Sequence, residues 1–432
     1  MVLEWWLIDL RFIFFKKFMS LAKTDPTIFK LIEREKKRQE ETLMMIPSEN
    51  YASPAVLAAL GSVAQNKYAE GYPGKRYYQG NEFIDKIEIL AQKRAQKIFG
   101  VPHVNVQPYS GSPANAAVYF ALLEPGDKIM GLSLSSGGHL THGHPKITFS
   151  GRYFQSVQYT VGKNGLLDYE RIEEQAEAEK PKIIVVGTTA YPRILDFKRF
   201  GQIADKVGAY LLADIAHIAG LVAAGVHPSP ISYAHLVTTT THKTLRGPRG
   251  AMIMVTKKGL EKDPKLAEKI DRAVFPGLQG GPHENTIAAM AVALKEAGKE
   301  SFREYAYQVV KNARQLASAL QKRGFNLVSG GTDNHLLLVD LRNKGVDGKT
   351  VAVALEKAGI VVNANAIPDD PNPPYRPSGV RLGTPALTTR GMKEKEMEEI
   401  AVWIERVISA PQKAGLVRKE VEKLTFRFPI YS

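Results

Sequence analysis

Apolar residues recur along this chain in two rhythms, and the alternation between them predicts the fold. Ile84, Ile87, Ala91, Ala95 and Ile98 fall three or four apart and stop at Gly100, the spacing of one helix face closed by a glycine. Phe200, Ile203, Ala204 and Val207 repeat that spacing, as do Val309, Ala313, Leu316 and Leu320 before Gly324. Short apolar or β-branched runs at 183–186, 209–213, 237–241 and 336–339 have the length of buried strands, and Val104 with Val106 suggests another. A charged helix is expected over 27–41. Strand, helix and strand in quick succession argue for an α/β domain built on a mostly parallel sheet with right-handed crossovers. The part from about residue 301 reads as a smaller α+β domain, and no internal repeat or low-complexity tract interrupts either.

Composition narrows the picture. A chain of 432 residues with 44% hydrophobic content can bury a large core and is expected to divide into two domains. The absence of cysteine excludes disulfides, thiol catalysis and cysteine-ligated zinc, and it is compatible with a reducing compartment. A formal charge of +14 suggests anionic partners, a nucleic-acid surface among them. Acidic and basic residues are interleaved, however, so a solvated mixed surface is favoured and no dedicated nucleic-acid partner is expected. The first eighteen residues stand apart, with Trp5, Trp6, Phe12, Phe14, Phe15 and Phe18 crowded together. Glu4, Asp9 and Arg11 interrupt any membrane span, and Lys16 and Lys17 follow the apolar run where a signal peptide would put its charge first. An interfacial amphipathic helix is the membrane-related reading left, and no dedicated membrane partner is expected.

Candidate chemistry concentrates after the strands. Lys243 follows the 237–241 run and precedes a Gly/Pro-rich turn, which sets its amine at a cleft edge where desolvation can lower its pKa enough to attack a carbonyl. Asp214 closes another strand, with His217 three residues on, at the edge where α/β sites gather. In Ser110-Gly111-Ser112-Pro113-Ala114-Asn115, Ser112 can cap a helix whose first position suits Pro113, and the free N–H groups there can take a phosphate. Arg381 offers a planar guanidinium suited to a carboxylate. Ser48, in a loop after the first helix, reads equally well as a helix cap. The loop over 68–78 carries more Tyr, Glu and Arg than a turn needs. Its Gly74-Lys75 pair is no phosphate loop, for the upstream glycines and the following Ser/Thr are missing. His139, His142 and His144 invite a zinc reading, set aside because the loop shows no nearby carboxylate.

The run Thr-Thr-Thr-Thr-His-Lys-Thr-Leu-Arg-Gly-Pro-Arg-Gly at 238–250, taken with the motifs above, resembles the serine hydroxymethyltransferases, and the match covers the chain from about Ile28 into its C-terminal region. That resemblance implies an aspartate-aminotransferase-like (fold type I) architecture with a seven-stranded sheet between helices. Taken with the patterning, the chain is expected to divide into an atypical apolar extension over 1–18, an arm over 19–55, a large domain over 56–300 and a small domain over 301–432. It implies pyridoxal 5'-phosphate as cofactor, a tetrahydrofolate-type co-substrate, L-serine and glycine as substrates, a homodimer with shared sites, and a cytoplasmic location. Relatives usually begin near Met19, so an appended arm or an unused upstream start is expected.

By family position, Lys243 holds the cofactor with Ser110, Gly111, Ser112, Thr189, His217, Arg249, Gly280 and Gly281 around it, His139 stacks on its ring, and Asp214 pairs with its pyridine nitrogen. Glu70 is an acid/base group, with Tyr68, Thr240 and His242 as further catalytic candidates. Ser48, Tyr78 and Arg381 bind substrate, while Glu70, Tyr77, Leu134, Gly138, Leu140 and Asn365 face the folate. The metal set is empty. Pro113 stands where relatives commonly carry glutamine and Asn285 where they usually carry histidine, departures that touch contacts and not the chemistry. Two other readings stay open on the residues: a folate-independent threonine or serine aldolase on the same cofactor, and a basic RNA-binding protein with a vestigial site.

Overall fold

The computed structural model describes residues 20–431, so expectations placed on the first eighteen residues lie outside the described residues. Seven strands form the large sheet: β1 (His103–Asn105), β2 (Lys128–Leu132), β3 (Gln155–Tyr159), β4 (Ile183–Gly187), β5 (Tyr210–Asp214), β6 (Leu236–Thr240) and β7 (Ala251–Val255). Their spatial order is β1–β7–β6–β5–β4–β2–β3, and β7 alone runs against the others. Ile183 through Val186 are fully buried, as a strand covered by helices on both faces must be. Helices α1 (Glu82–Phe99), α2 (Gly111–Leu122), α3 (Phe197–Val207) and α4 (Glu284–Ala297) supply that cover.

The patterned helices lie where their spacing put them. Gly100 ends α1 in the left-handed region, at φ 69°, which glycine adopts without a Cβ penalty. Two strands shift by one residue. Gly208 and the Ala209 N–H close α3, the latter donating to the Ala204 carbonyl, so β5 starts at Tyr210 and takes Asp214 as its last residue. Thr241 leaves β6 because its N–H and carbonyl bond Gly250 and Gly247 in the loop beyond. The expected cap at Ser112 is corrected as well. Ala114 donates to the Ser110 carbonyl, so α2 opens two residues earlier, with Ser110 as a cap whose hydroxyl makes no capping bond, and Pro113 falls at the third position.

A second, antiparallel sheet follows, with strands β8 (Asn326–Leu327), β9 (Leu336–Asp340), β10 (Asn363–Asn365) and β11 (Gly379–Gly383) in the order β8–β9–β11–β10. Helix α5 (Glu300–Lys322) joins the two bodies: Phe302, Ala306 and Val309 enter the core of the large sheet, while Leu316 and Leu320 enter that of the small one. The segment before residue 55 also serves the small sheet, since Leu43 and Met45 are buried in its core and Leu43–Met44 pairs in parallel with Ile360–Val361. Among the described residues no helix is long and apolar enough to cross a membrane.

Candidate active site

The carboxyl ends of the parallel strands converge on one cleft of about 530 Å³, the edge at which open α/β sheets bind ligands. Asp214, the last residue of β5, is held there by three donors. Its Oδ2 accepts from Asn115 Nδ2 at 2.9 Å and His142 Nε2 at 3.0 Å, and its Oδ1 accepts from the Ala216 N–H at 3.0 Å. Burial alone would raise this carboxyl, but the hydrogen bond and charge of His142, helped by His139 and Asn115, hold it below the usual carboxylate range. It is therefore ionised. Gly187 on β4 makes the placement possible: a Cβ there would lie 2.4 Å from the Asp214 carbonyl oxygen.

Lys243 stands three residues beyond β6, its backbone carbonyl held by Asn50 Nδ2 at 3.0 Å. Its side chain opens onto the cleft yet lies deep among protein atoms. Burial, with Arg381 and Arg249 adding to it, pushes the amine down to about 8 against the pull of Asp214. Beside it, Gly111 and Ser112 open α2 with N–H groups that no preceding turn can use. A Cβ on Gly111 would sit 2.9 Å from the Thr240 methyl, which keeps this anion cup tight against the end of β6.

Three imidazoles around the cleft, those of His139, His217 and His242, are neutral near pH 7. Burial lowers His139 to about 4 and His242 to about 3, and holds His217 well below its ordinary value. Arg381 comes from β11: its Nε donates to Asn363 Oδ1 at 3.0 Å and its Nη1 to the Thr189 carbonyl, which leaves Nη2 uncommitted. Burial brings the guanidinium down to about 10, so it stays cationic. Ser48, Ser110, Thr189 and Arg249 also line the cleft, as do Leu134, Gly138, Leu140 and Asn365.

Six of the expected residues are not brought to this cleft. Tyr68, Glu70, Tyr77, Tyr78, Gly280 and Gly281 gather on a separate, exposed ridge. There the Tyr68 hydroxyl donates to Glu70 Oε1 at 3.1 Å, and the rings of Tyr68 and Tyr78 meet edge to face at 5.0 Å. A Cβ on Gly280 would lie 3.1 Å from Glu70 Oε1.

Sequence reasoning missed Asn115, His142, Glu49 and Thr188 as cleft or support residues. The zinc reading of the histidine loop was set aside for want of a carboxylate. In space one is present, Asp214, 72 residues downstream of His142, and the imidazole serves it as a donor. Among the described residues no cluster of three or more His, Cys, Asp or Glu is arranged to hold a metal.

Each of these groups answers one part of a single molecule. The α2 N–H groups fit a phosphate, the ionised Asp214 fits a protonated ring nitrogen, the weakened amine of Lys243 fits an aldehyde, and the spare guanidinium of Arg381 fits an amino acid's carboxylate. That match makes the cleft one of the pyridoxal-phosphate class, and the sheet order with its single reversed strand suits it.

The serine hydroxymethyltransferase family model matches residues 21–404. The serine hydroxymethyltransferase of Acidothermus cellulolyticus is 56% identical over 420 residues, 95% of this chain and 96% of that one. Those of Desulfotalea psychrophila and Sorangium cellulosum are each 55% identical, over 413 and 414 residues, 95% of this chain and 95% and 96% of theirs. This chain belongs to the serine hydroxymethyltransferase family.

Proposed function

We propose that the protein interconverts L-serine and glycine, passing the one-carbon unit to tetrahydrofolate, and that it works as a homodimer in the cytoplasm. The observation that carries this is the convergence of Lys243, Asp214, the Gly111–Ser112 cup and Arg381 on one cleft from four separate elements. Pyridoxal phosphate, when bound, supplies a conjugated electron sink at the amino acid's α-carbon. Lys243 is the amine that carries it, and an amine lowered to about 8 exchanges protons readily near neutral pH. The N–H groups of Gly111 and Ser112 would hold its phosphate, with the Ser110 and Ser112 hydroxyls and Arg249 lining the same cleft. Asp214 would keep the ring nitrogen protonated, because an ionised carboxylate in a desolvated site strongly favours a paired cation. His139, Thr189, His217, Thr240 and His242, which line the same cleft, would surround the ring, His139 as its stacking partner.

Arg381 and Ser48 orient the substrate carboxylate. Glu70, with Tyr68 and Tyr78, reaches the cleft of a second copy and moves the proton of the serine hydroxyl, and Gly280 and Gly281 accompany them. Leu134, Gly138, Leu140, Asn365 and Tyr77 flank the folate. In this reading residues 19–55 are an arm, 56–300 the large domain and 301–432 the small one.

The deciding measurement is the visible absorption of the purified protein with pyridoxal phosphate, on adding glycine and then tetrahydrofolate. A new long-wavelength band that needs both additions supports folate-coupled transfer. A glycine response indifferent to the pterin leaves a folate-independent aldolase, and no cofactor band at all removes the enzymatic reading.

A further inference from the structure

His217 faces the cleft from the turn after β5, and its other ring nitrogen meets a residue that no part of the proposed chemistry uses. His217 Nδ1 lies 3.3 Å from Nε2 of His335, the residue just before β9 of the small sheet. Both side chains are buried, His335 completely, and the rings meet at 34° with centroids 5.5 Å apart. The backbone on both sides is held as well. The His217 carbonyl accepts from Thr244 Oγ1 at 3.0 Å, and the His335 carbonyl accepts from the Thr384 N–H at 3.1 Å. Burial holds both rings neutral, so each carries one proton and the pair shares a single hydrogen bond with one donor and one acceptor.

Two arrangements satisfy that bond, and the surroundings separate them. His335 Nδ1 is buried without a hydrogen-bond partner. If His217 donated, His335 would have to keep its proton on Nδ1, leaving a buried N–H with no acceptor, the rarer and costlier kind of orphan. If His335 donates, its Nδ1 is a bare lone pair, and the proton of His217 moves to Nε2, the nitrogen left to face the cleft. The cations of Lys243 and Arg381 bear on His217 and would favour a lone pair on that side. Their charge, however, is shared with the open cleft and Asp214, whereas nothing relieves the orphaned N–H.

We propose that His335 is a positioning residue: its Nε2–H donates to His217 Nδ1, fixes the His217 proton on Nε2, and so presents a hydrogen-bond donor to the cleft beside Lys243. The small sheet thereby sets the protonation pattern of a group on the large one. The catalytic consequence rests on the reading of the cleft as a cofactor site. The tautomer itself does not, and it is measured without turnover.

The test is nitrogen-15 NMR of the full chain with labelled histidine, without cofactor, the His217 resonances being identified by their loss in His217→Gln. Protonated Nε2 and acceptor-type Nδ1 shifts for His217 are expected in the wild type. His335→Phe removes the donor and should let the His217 proton move to Nδ1 or average between the two. His335→Gln, whose amide nitrogen reaches about as far as Nε2, should restore the wild-type pattern. A His217 proton found on Nδ1 in the wild type overturns the inference, as does an unchanged His217 pattern in His335→Phe. Should the Phe variant not fold, His335→Asn, too short to reach His217, takes its place with the same expectation.

Discussion

Lys243 and Glu70 are both expected to handle protons, yet they sit in opposite surroundings. Around Lys243 the polar groups are buried, mutually hydrogen-bonded and displaced from their ordinary pKa values, so the geometry is complete within one chain. Around Glu70 the side chains look outward: Tyr68 is 54% exposed, Tyr77 71% and Tyr78 45%. A covalent carrier needs desolvation to weaken its basicity, which a folded core supplies by itself. A carboxylate among solvated tyrosines gains precise placement only when another surface closes over it. On the proposed reading, one chain owns the first half of the chemistry and lends the second to its partner.

Removing the amine tests the owned half and carries the largest expected effect. Lys243→Ala should lower serine–glycine turnover by about 10³-fold or more, since the chain then lacks the group that carries the cofactor. Substantial activity in that variant would mean the cleft is not the site. The lent half is tested next. Glu70→Gln should cost about 10²-fold through loss of proton transfer. If Glu70 serves a second copy, mixing Lys243→Ala and Glu70→Gln chains under refolding should recover about a quarter of wild-type activity, because half the dimers are mixed and each then has one intact site. No recovery would place Glu70 in its own chain's cleft.

A subtler test addresses Lys243 while keeping it. The neutral amine is the nucleophile, so the rate at which cofactor-free protein captures pyridoxal phosphate should rise with pH through a midpoint near 8. A midpoint near the ordinary lysine value of 10.5 would contradict the buried environment.

The sequence made the owned half legible because its parts are local. A strand followed by a lysine, a strand ending in aspartate, and a serine–glycine helix start can each be recognised within a dozen residues. The resemblance then told which of them belonged together, since spacing alone could not join Asp214 to Lys243. What stayed hidden depends on distance along the chain. His142 and Asn115 reach Asp214 across 72 and 99 residues, and His335 meets His217 across 118. No periodicity reports such a contact. Ser112 was misread as the cap for a local reason: two serines flank one glycine, and only the Ala114-to-Ser110 hydrogen bond decides between them.

The exposed ridge rests on a buried cluster of ionisable groups, Arg76, Glu88 and Glu284, and these offer the smallest and sharpest test. Arg76 donates to the carbonyls of Ala69 and Gly71, on either side of Glu70, and its Nη2 pairs with Glu88 at 2.7 Å. Glu284, the first residue of α4, lies 3.9 Å from the same guanidinium, fully buried, and neither of its oxygens has a hydrogen-bond partner. Burial pushes its carboxyl up to about 8, with the charge of Glu88 adding to the rise; Asp85 acts the same way, while Arg76 and Lys67 oppose it. An acid whose folded pKa lies above its unfolded value near 4.5 weighs nothing below that value, and stability is lost as pH climbs from about 4.5 towards 8. Glu284→Gln keeps the shape and drops the ionisation. Its unfolding midpoint should match wild type near pH 4.5 and exceed it increasingly up to pH 8, by a few degrees. A constant difference across that range would mean Glu284 does not hold its proton in the folded chain. A growing one would show that the outward-looking ridge is anchored by a neutral acid, so that even the half of the site proposed to serve a second copy is braced from within.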